Sequence, residues 1–169
     1  MNHEESKLQQ ACVSWFRAQY PQYAMLLVHP INEGSGHTSM DRRRQGIHKA
    51  EGAVAGVPDL ILFMIGVEAT YNDQGIQDGA LIYHALGIEF KTLKGKQSQE
   101  QKNFQKMFEA AQYKYVVIRT FEEFKNCTNK WISTVNPYLR KRIASAHVEI
   151  VQAAEQREKE KFYKIINGK

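Results

Sequence analysis

Two apolar runs constrain what this chain can fold into: VPDLILFMI at 57–65 and LIYHALGIEFK at 81–91. Both are short, rich in β-branched and large apolar residues, and bounded by turn formers, which is the pattern of buried strands. Pro58 fits only at the entrance of its strand. The stretch LILFMIGV is far too short to cross a bilayer, so these runs are expected in the core of a soluble protein.

Each run carries charge where a buried strand would not be expected to. Asp59 opens the first; Glu89 and Lys91 stand two apart in the second, so their side chains leave the same face while Ile88 and Phe90 enter the other. If Asp59 meets Glu89 across the sheet, the pair offers two hard oxygen ligands suited to Mg2+ or Mn2+. No Cys/His ligand set accompanies them, which argues against zinc. A metal there would polarise a phosphate oxygen and lower the pKa of a bound water, and Lys91 would orient that water or balance charge developing on phosphorus. Those are the parts of phosphodiester hydrolysis. The plainer alternative is an Asp that merely begins a strand and a Glu-x-Lys pair on a solvated sheet face.

Around the two runs, Leu8, Ala11, Cys12, Trp15 and Phe16 predict an amphipathic helix over 4–20, ended by Pro21. AMLLVH at 24–29 reads as a short strand, 32–56 as a long basic loop and YNDQGIQDG as a turn. Ser98 and Gln101 make a capping box for a helix whose buried stripe would be Phe104, Met107, Phe108 and Ala111. YKYVVIRT is then a strand and FEEFKNCTNKWIST a helix. Residues 1–136 are expected to form one domain and 137–169 a charged helical tail, whose thin seam of Ile143, Val148, Ile150 and Val151 is either laid on the domain or used as a dimer contact.

Two polar residues break the helical stripes. Glu5 continues the apolar face of the first helix, and a carboxylate aimed inward wants a cation or metal. Gln101 lies one turn before Phe104 on the core-facing side, and it either completes the cap with Ser98 or faces the site.

Charge points to the partner. Lys plus Arg outnumber Asp plus Glu by 23 to 18, a formal +5, which favours a polyanion. Arg42, Arg43, Arg44 and Lys49 in the basic loop, with Lys94 and Lys96, are the expected phosphate contacts, fixing register without reading sequence. His29, His37 and His48 have no ligand spacing and read as structural or phosphate-facing. Cys12 and Cys127 cannot form a secreted-type disulfide framework, and MNHEESKLQQ is acidic where a signal peptide is basic, so a reducing cytoplasm is the expected compartment.

Taken together, GVPDL, GIEFK and KGKQSQEQ, preceded by an early Glu-x-x-x-Gln helix and HPINEG, resemble the VRR-NUC branch of the PD-(D/E)xK nuclease superfamily. The resemblance runs from Glu5 to Phe124. It implies an α/β, restriction-endonuclease-like central mixed sheet flanked by helices, a Mg2+ site at Asp59 and Glu89 joined by Glu5 and completed by the carbonyl of Phe90, Lys91 as catalytic lysine, and supporting catalytic roles for Glu5 and Gln101. The expected activity is a DNA endonuclease selective for branched, flapped or junction DNA, with a homodimer as one expected arrangement, with Mn2+ able to replace Mg2+ and with neither membrane nor nucleotide cofactor. A DNA-binding module without activity and a sequence-preferring restriction-type nuclease are the alternatives. By the same analogy the source is a bacterium or a phage-infected cell. One departure stands out: thirty residues separate Asp59 from Glu89, more than a tight hairpin between motif strands needs.

Overall fold

The computed structural model describes residues 3–30, 47 and 50–166. Helix α1 (His3–Gln19) leads into a 3-10 helix (Pro21–Leu26) and strand β1 (Leu27–Val28). After β2 (Leu60–Leu62) come β3 (Gly66–Tyr71), β4 (Gln77–Tyr83), β5 (Leu86–Phe90), α2 (Gln99–Ala110), β6 (Lys114–Ile118), α3 (Phe121–Thr134) and α4 (Pro137–Ile166).

The central sheet has the order β1-β2-β5-β6. β1 pairs β2 and β2 pairs β5 antiparallel, whereas β5 and β6 run parallel. A parallel pair needs a crossover, and α2 supplies it. All five residues of β5 are buried, as expected of a strand covered on both faces. On one face Phe90 meets Phe124 of α3, with ring centroids 6.0 Å apart, and Phe124 meets Phe16 of α1 at 6.5 Å. Aromatic pairs of this kind contribute roughly 0.5–1.5 kcal/mol each beyond the area they bury. On the other face Phe108 of α2 packs edge-on against Tyr115, 6.3 Å away, and lies so close to Gly87 that a Cβ there would stand 2.9 Å from its ring.

Several elements differ from the sequence expectation. The strand expected at 24–29 shrinks to Leu27–Val28, because Pro21 starts a 3-10 helix that holds Tyr23 to Leu26. VPDLILFMI contributes only Leu60–Leu62 to the sheet; beyond it Met64 N–H donates back to the Leu62 carbonyl, and the chain turns away. The second run is two strands, divided at His84, whose N–H leaves for the Gln112 carbonyl. The long connection is the β3–β4 hairpin, closed by Asn72, whose Oδ1 accepts from the N–H groups of Gln74 and Ile76 at 3.0 Å each. Trp131 of α3 anchors the hairpin by donating Nε1–H to the Met64 carbonyl at 3.1 Å.

In α2 the expected stripe is corrected as well: Met107 is 71% exposed and Ala111 is exposed, while Gln101, Phe104 and Phe108 are half-buried. Phe108 is the side chain that packs on the sheet, against Gly87 and Tyr115, while Met107 faces outward. α4 is a single 30-residue helix with no buried residue. Leu139 and Ile143 touch the core, whereas Val148, Ile150 and Val151 stand exposed. Among the described residues no helix is long and apolar enough to cross a membrane. Both cysteines are free; burial pushes the Cys12 thiol up to about 12, so it behaves as a core apolar group.

Gly56, at the head of the GVPD segment, has φ +85°, and a Cβ there would drive into the Glu100 carbonyl and stand 2.8 Å from the Gln101 nitrogen. The PD segment and the start of α2 are therefore in direct backbone contact. Gly56→Ala combines left-handed strain with this clash, a destabilisation of about 1–3 kcal/mol. The expected result is a melting point lower by several degrees in thermal denaturation; an unchanged one would show that the contact yields freely.

Candidate active site

Strand register brings the two motifs together. Leu60 pairs Ile88 across the β2–β5 ladder, so Asp59, one residue earlier, stands level with Glu89, one residue later. Residues opposite one another on antiparallel strands share a face. Asp59 is further held to β5: its Oδ2 accepts from the Phe90 N–H at 2.8 Å. Both carboxylates are buried, Asp59 at 6% exposure and Glu89 at 1%.

Burying an ionised carboxylate is expensive unless it is hydrogen-bonded and charge-compensated. Glu89 has both kinds of support. Its Oε1 accepts from Lys91 Nζ at 2.5 Å and from Gln101 Nε2, while its Oε2 accepts from the Tyr115 hydroxyl at 3.2 Å. Lys91 follows Glu89 on the same face, with its side chain 11% exposed, so the ammonium reaches the surface of the site. Gln101 resolves its two expected roles by filling both: Oε1 accepts from the Ser98 N–H and completes the capping box, and Nε2 donates to Glu89.

Two further groups frame the turn that follows Lys91. Glu5, on the first turn of α1, accepts the Thr92 N–H at 3.1 Å. From the other side Arg119, just beyond β6, donates Nη1 to the carbonyls of Thr92 and, at 2.9 Å, Gly95. Lys94 and Lys96 lie exposed on this pinned turn. Arg42, Arg43, Arg44 and Lys49, and likewise His37 and His48, lie outside the described residues.

Tyr115 and Arg119 were not singled out from sequence. Each sits at an unremarkable position of YKYVVIRT, and only the parallel pairing of β6 with β5 brings them to the site. The strand alternation that separates Tyr115 from Val116 was the one available signal.

The electrostatics match this geometry. Burial raises Asp59 above the ordinary carboxylate range, against the pull of the Phe90 N–H and the Lys91 charge, and the Glu5 charge adds to the rise. Glu89 is raised by burial and then by the Asp59 charge, opposed by Lys91 and Tyr115. Tyr115 is raised strongly by burial and by Glu89, so it stays a neutral donor.

The donor set is suited to a hard divalent cation. Among the described residues no group of three or more His, Cys, Asp or Glu side chains is arranged to hold a metal, and Glu5 is turned to the Thr92 N–H. Mg2+, however, is commonly bound through one or two carboxylates, with waters and substrate phosphate completing the shell. Asp59 and Glu89 supply two such carboxylates, level with each other and each destabilised in its ionised form, which a cation would relieve. The Phe90 carbonyl, between Glu89 and Lys91 in the chain, is the remaining oxygen that the sequence resemblance assigned to this shell.

A stability prediction follows from the sign of these shifts. Both carboxylates have folded pKa values above their unfolded ones, so their contribution to stability is fully present below the unfolded carboxylate pKa and is lost as pH rises through the folded values. The metal-free protein should therefore melt lower at neutral pH than in mild acid. Asp59→Asn, which keeps an acceptor for the Phe90 N–H, should melt higher than the parent at neutral pH without metal, and Mg2+ should narrow the gap. Calorimetric melts across pH test this; an Asn variant that melts lower than the parent would show that the buried charge is already compensated.

No family model matches this chain, and no curated protein matches it. Among solved structures it is similar to a VRR_NUC domain protein, at 19% sequence identity and a TM-score of 0.58, over 80% of this chain and 93% of that one. The mixed sheet flanked by helices that the PD and ExK motifs led one to expect is thus the fold of a known VRR_NUC domain.

Proposed function

We propose that this chain is a Mg2+-dependent DNA endonuclease that hydrolyses phosphodiester bonds at Asp59, Glu89 and Lys91, acting on branched, flapped or junction DNA. The observation that carries the reading is the cross-strand placement of two buried carboxylates, with a lysine beside them on the same face. Such an arrangement costs stability, and a purely structural sheet has no need of it. The fold shared with a VRR_NUC domain protein supports a nuclease as the class.

In this reading Asp59, Glu89 and the Phe90 carbonyl would hold Mg2+, or Mn2+ in its place. The bound ion would supply Lewis acidity at the scissile phosphate and a more acidic water. Lys91 orients the attacking water or offsets the negative charge that builds on the phosphoryl oxygens. Gln101 and Tyr115 hold the Glu89 carboxylate in place by hydrogen bonds to its two oxygens. Glu5 and Arg119 fix the turn that bears Lys94 and Lys96, and these lysines bind backbone phosphates. Arg42, Arg43, Arg44 and Lys49 would extend that contact along the duplex. Two copies acting as a homodimer would cut both strands of a junction.

The test is a panel of linear, flapped and four-way DNA incubated with the purified protein in Mg2+, Mn2+ or EDTA. Cleavage of the branched substrates with either metal and none in EDTA is expected; cleavage indifferent to EDTA removes the metal from the mechanism. Asp59→Ala and Lys91→Ala should each reduce cutting by at least about 100-fold, the scale at which a metal ligand or transition-state donor acts. Both variants should retain DNA binding in gel-shift assays. Binding by the parent with no cleavage of any substrate would make the protein a DNA-binding module on a nuclease fold.

A further inference from the structure

The main chain of Asp59 is held as firmly as its side chain, and by residues outside the expected catalytic set. The β1–β2 ladder pairs Val28 with Ile61, and the chain preceding Ile61 runs past the end of β1. His29, the next residue after β1, turns its ring back and places Nδ1 2.6 Å from the Asp59 carbonyl oxygen. A carbonyl only accepts, so the proton of this contact sits on Nδ1. Behind it stands Gln9 of α1, a buried polar residue at 9% exposure, whose side-chain Nε2 lies 3.2 Å from the same nitrogen; because Nδ1 gives its proton to the Asp59 carbonyl, Gln9 backs the ring by contact and not by a second hydrogen bond. One turn earlier on the same helix, Glu5 grips the Thr92 N–H on the far side of the site.

We infer that Gln9 and His29 form a positioning pair that sets where the Asp59 carboxylate stands. This deepens the nuclease reading and rests on it. Asp59 follows Pro58, whose ring fixes its own φ, so the soft torsions near the carboxylate are those of Asp59 itself. The carboxylate is tied to β5 through the Phe90 N–H, and the carbonyl is tied to His29, whose ring is backed by Gln9 of α1. With both ends tied, the Asp59 unit cannot rotate about its Cα without breaking a hydrogen bond. Partners of this kind, which touch a ligand residue and not the ion, commonly change metal affinity by about 10–100-fold when removed.

The experiment is Mn2+ titration calorimetry on the full chain, with melting curves recorded in parallel, for the parent, His29→Ala, His29→Asn, Gln9→Ala and Asp59→Ala. His29→Ala is expected to weaken Mn2+ binding about tenfold. His29→Asn, whose amide N–H can reach the same carbonyl, should restore most of the loss, and Gln9→Ala should act in the same direction as His29→Ala but less strongly. If His29→Ala unfolds, the Asn and Gln9 variants carry the measurement. Parent-like Mn2+ affinity in both alanine variants overturns the pairing alone; the same affinity with weakened DNA binding in His29→Ala would make His29 a phosphate contact instead. A parent protein that binds no Mn2+ sinks the metal reading, and the positioning pair with it.

Discussion

The constraint on which the rest depends is a carboxylate, Glu89, placed at the centre of the sheet with 1% of its surface exposed. An ion in such a place must be compensated at once by charge and by hydrogen bonds, or it takes up a proton. The compensation comes from three different elements. Lys91 lies two residues on along the same strand, Gln101 is in the first turn of α2, and Tyr115 is on the parallel neighbour β6. Moving any of these elements breaks the compensation, so the position of α2 and the pairing of β6 are tied to the site as well as to the core.

The same economy appears in α1. Its apolar side, through Cys12 and Phe16, is buried in the core with Phe124 and Phe90. Its polar residues Glu5 and Gln9, one turn apart, reach opposite edges of the site. A single rigid helix therefore spans the distance between the turn after Lys91 and the segment that carries Asp59. Rigid elements hold site residues more precisely than loops do, which is the physical reason for the arrangement.

Much of this was legible in the chain, and the reasons are local. The capping box of Ser98 and Gln101, the apolar stripe of α1 apart from Ala11, which is exposed, and the Glu-x-Lys alternation from β5 depend on residues within one turn or one pleat of each other. What failed depended on competition at longer range. AMLLVH has the composition of a strand, but Pro21 and the packing of Tyr23 hold most of it in a 3-10 helix. LIYHALGIEFK looks continuous, yet His84 N–H bonds to Gln112 and ends one ladder before the next begins. The connection between the motif aspartate and glutamate gave no sign of a hairpin anchored by Trp131, because its anchor lies in a helix far along the chain. Met107 fits the apolar period of α2 and is nonetheless exposed, since the period says which side is apolar and not how much of it the sheet covers.

The sequence by itself determined which charged side chains interrupt the apolar runs and that Glu89 and Lys91 emerge on one face, because strand alternation is a property of the backbone alone. Only the tertiary structure decided that Asp59 stands level with Glu89, that Tyr115 and Arg119 join them, and that His29 and Gln9 hold the Asp59 main chain. Those relations are set by strand register and by the seating of α1 against the sheet, and both result from packing contacts summed over the whole core, which no short stretch of residues encodes.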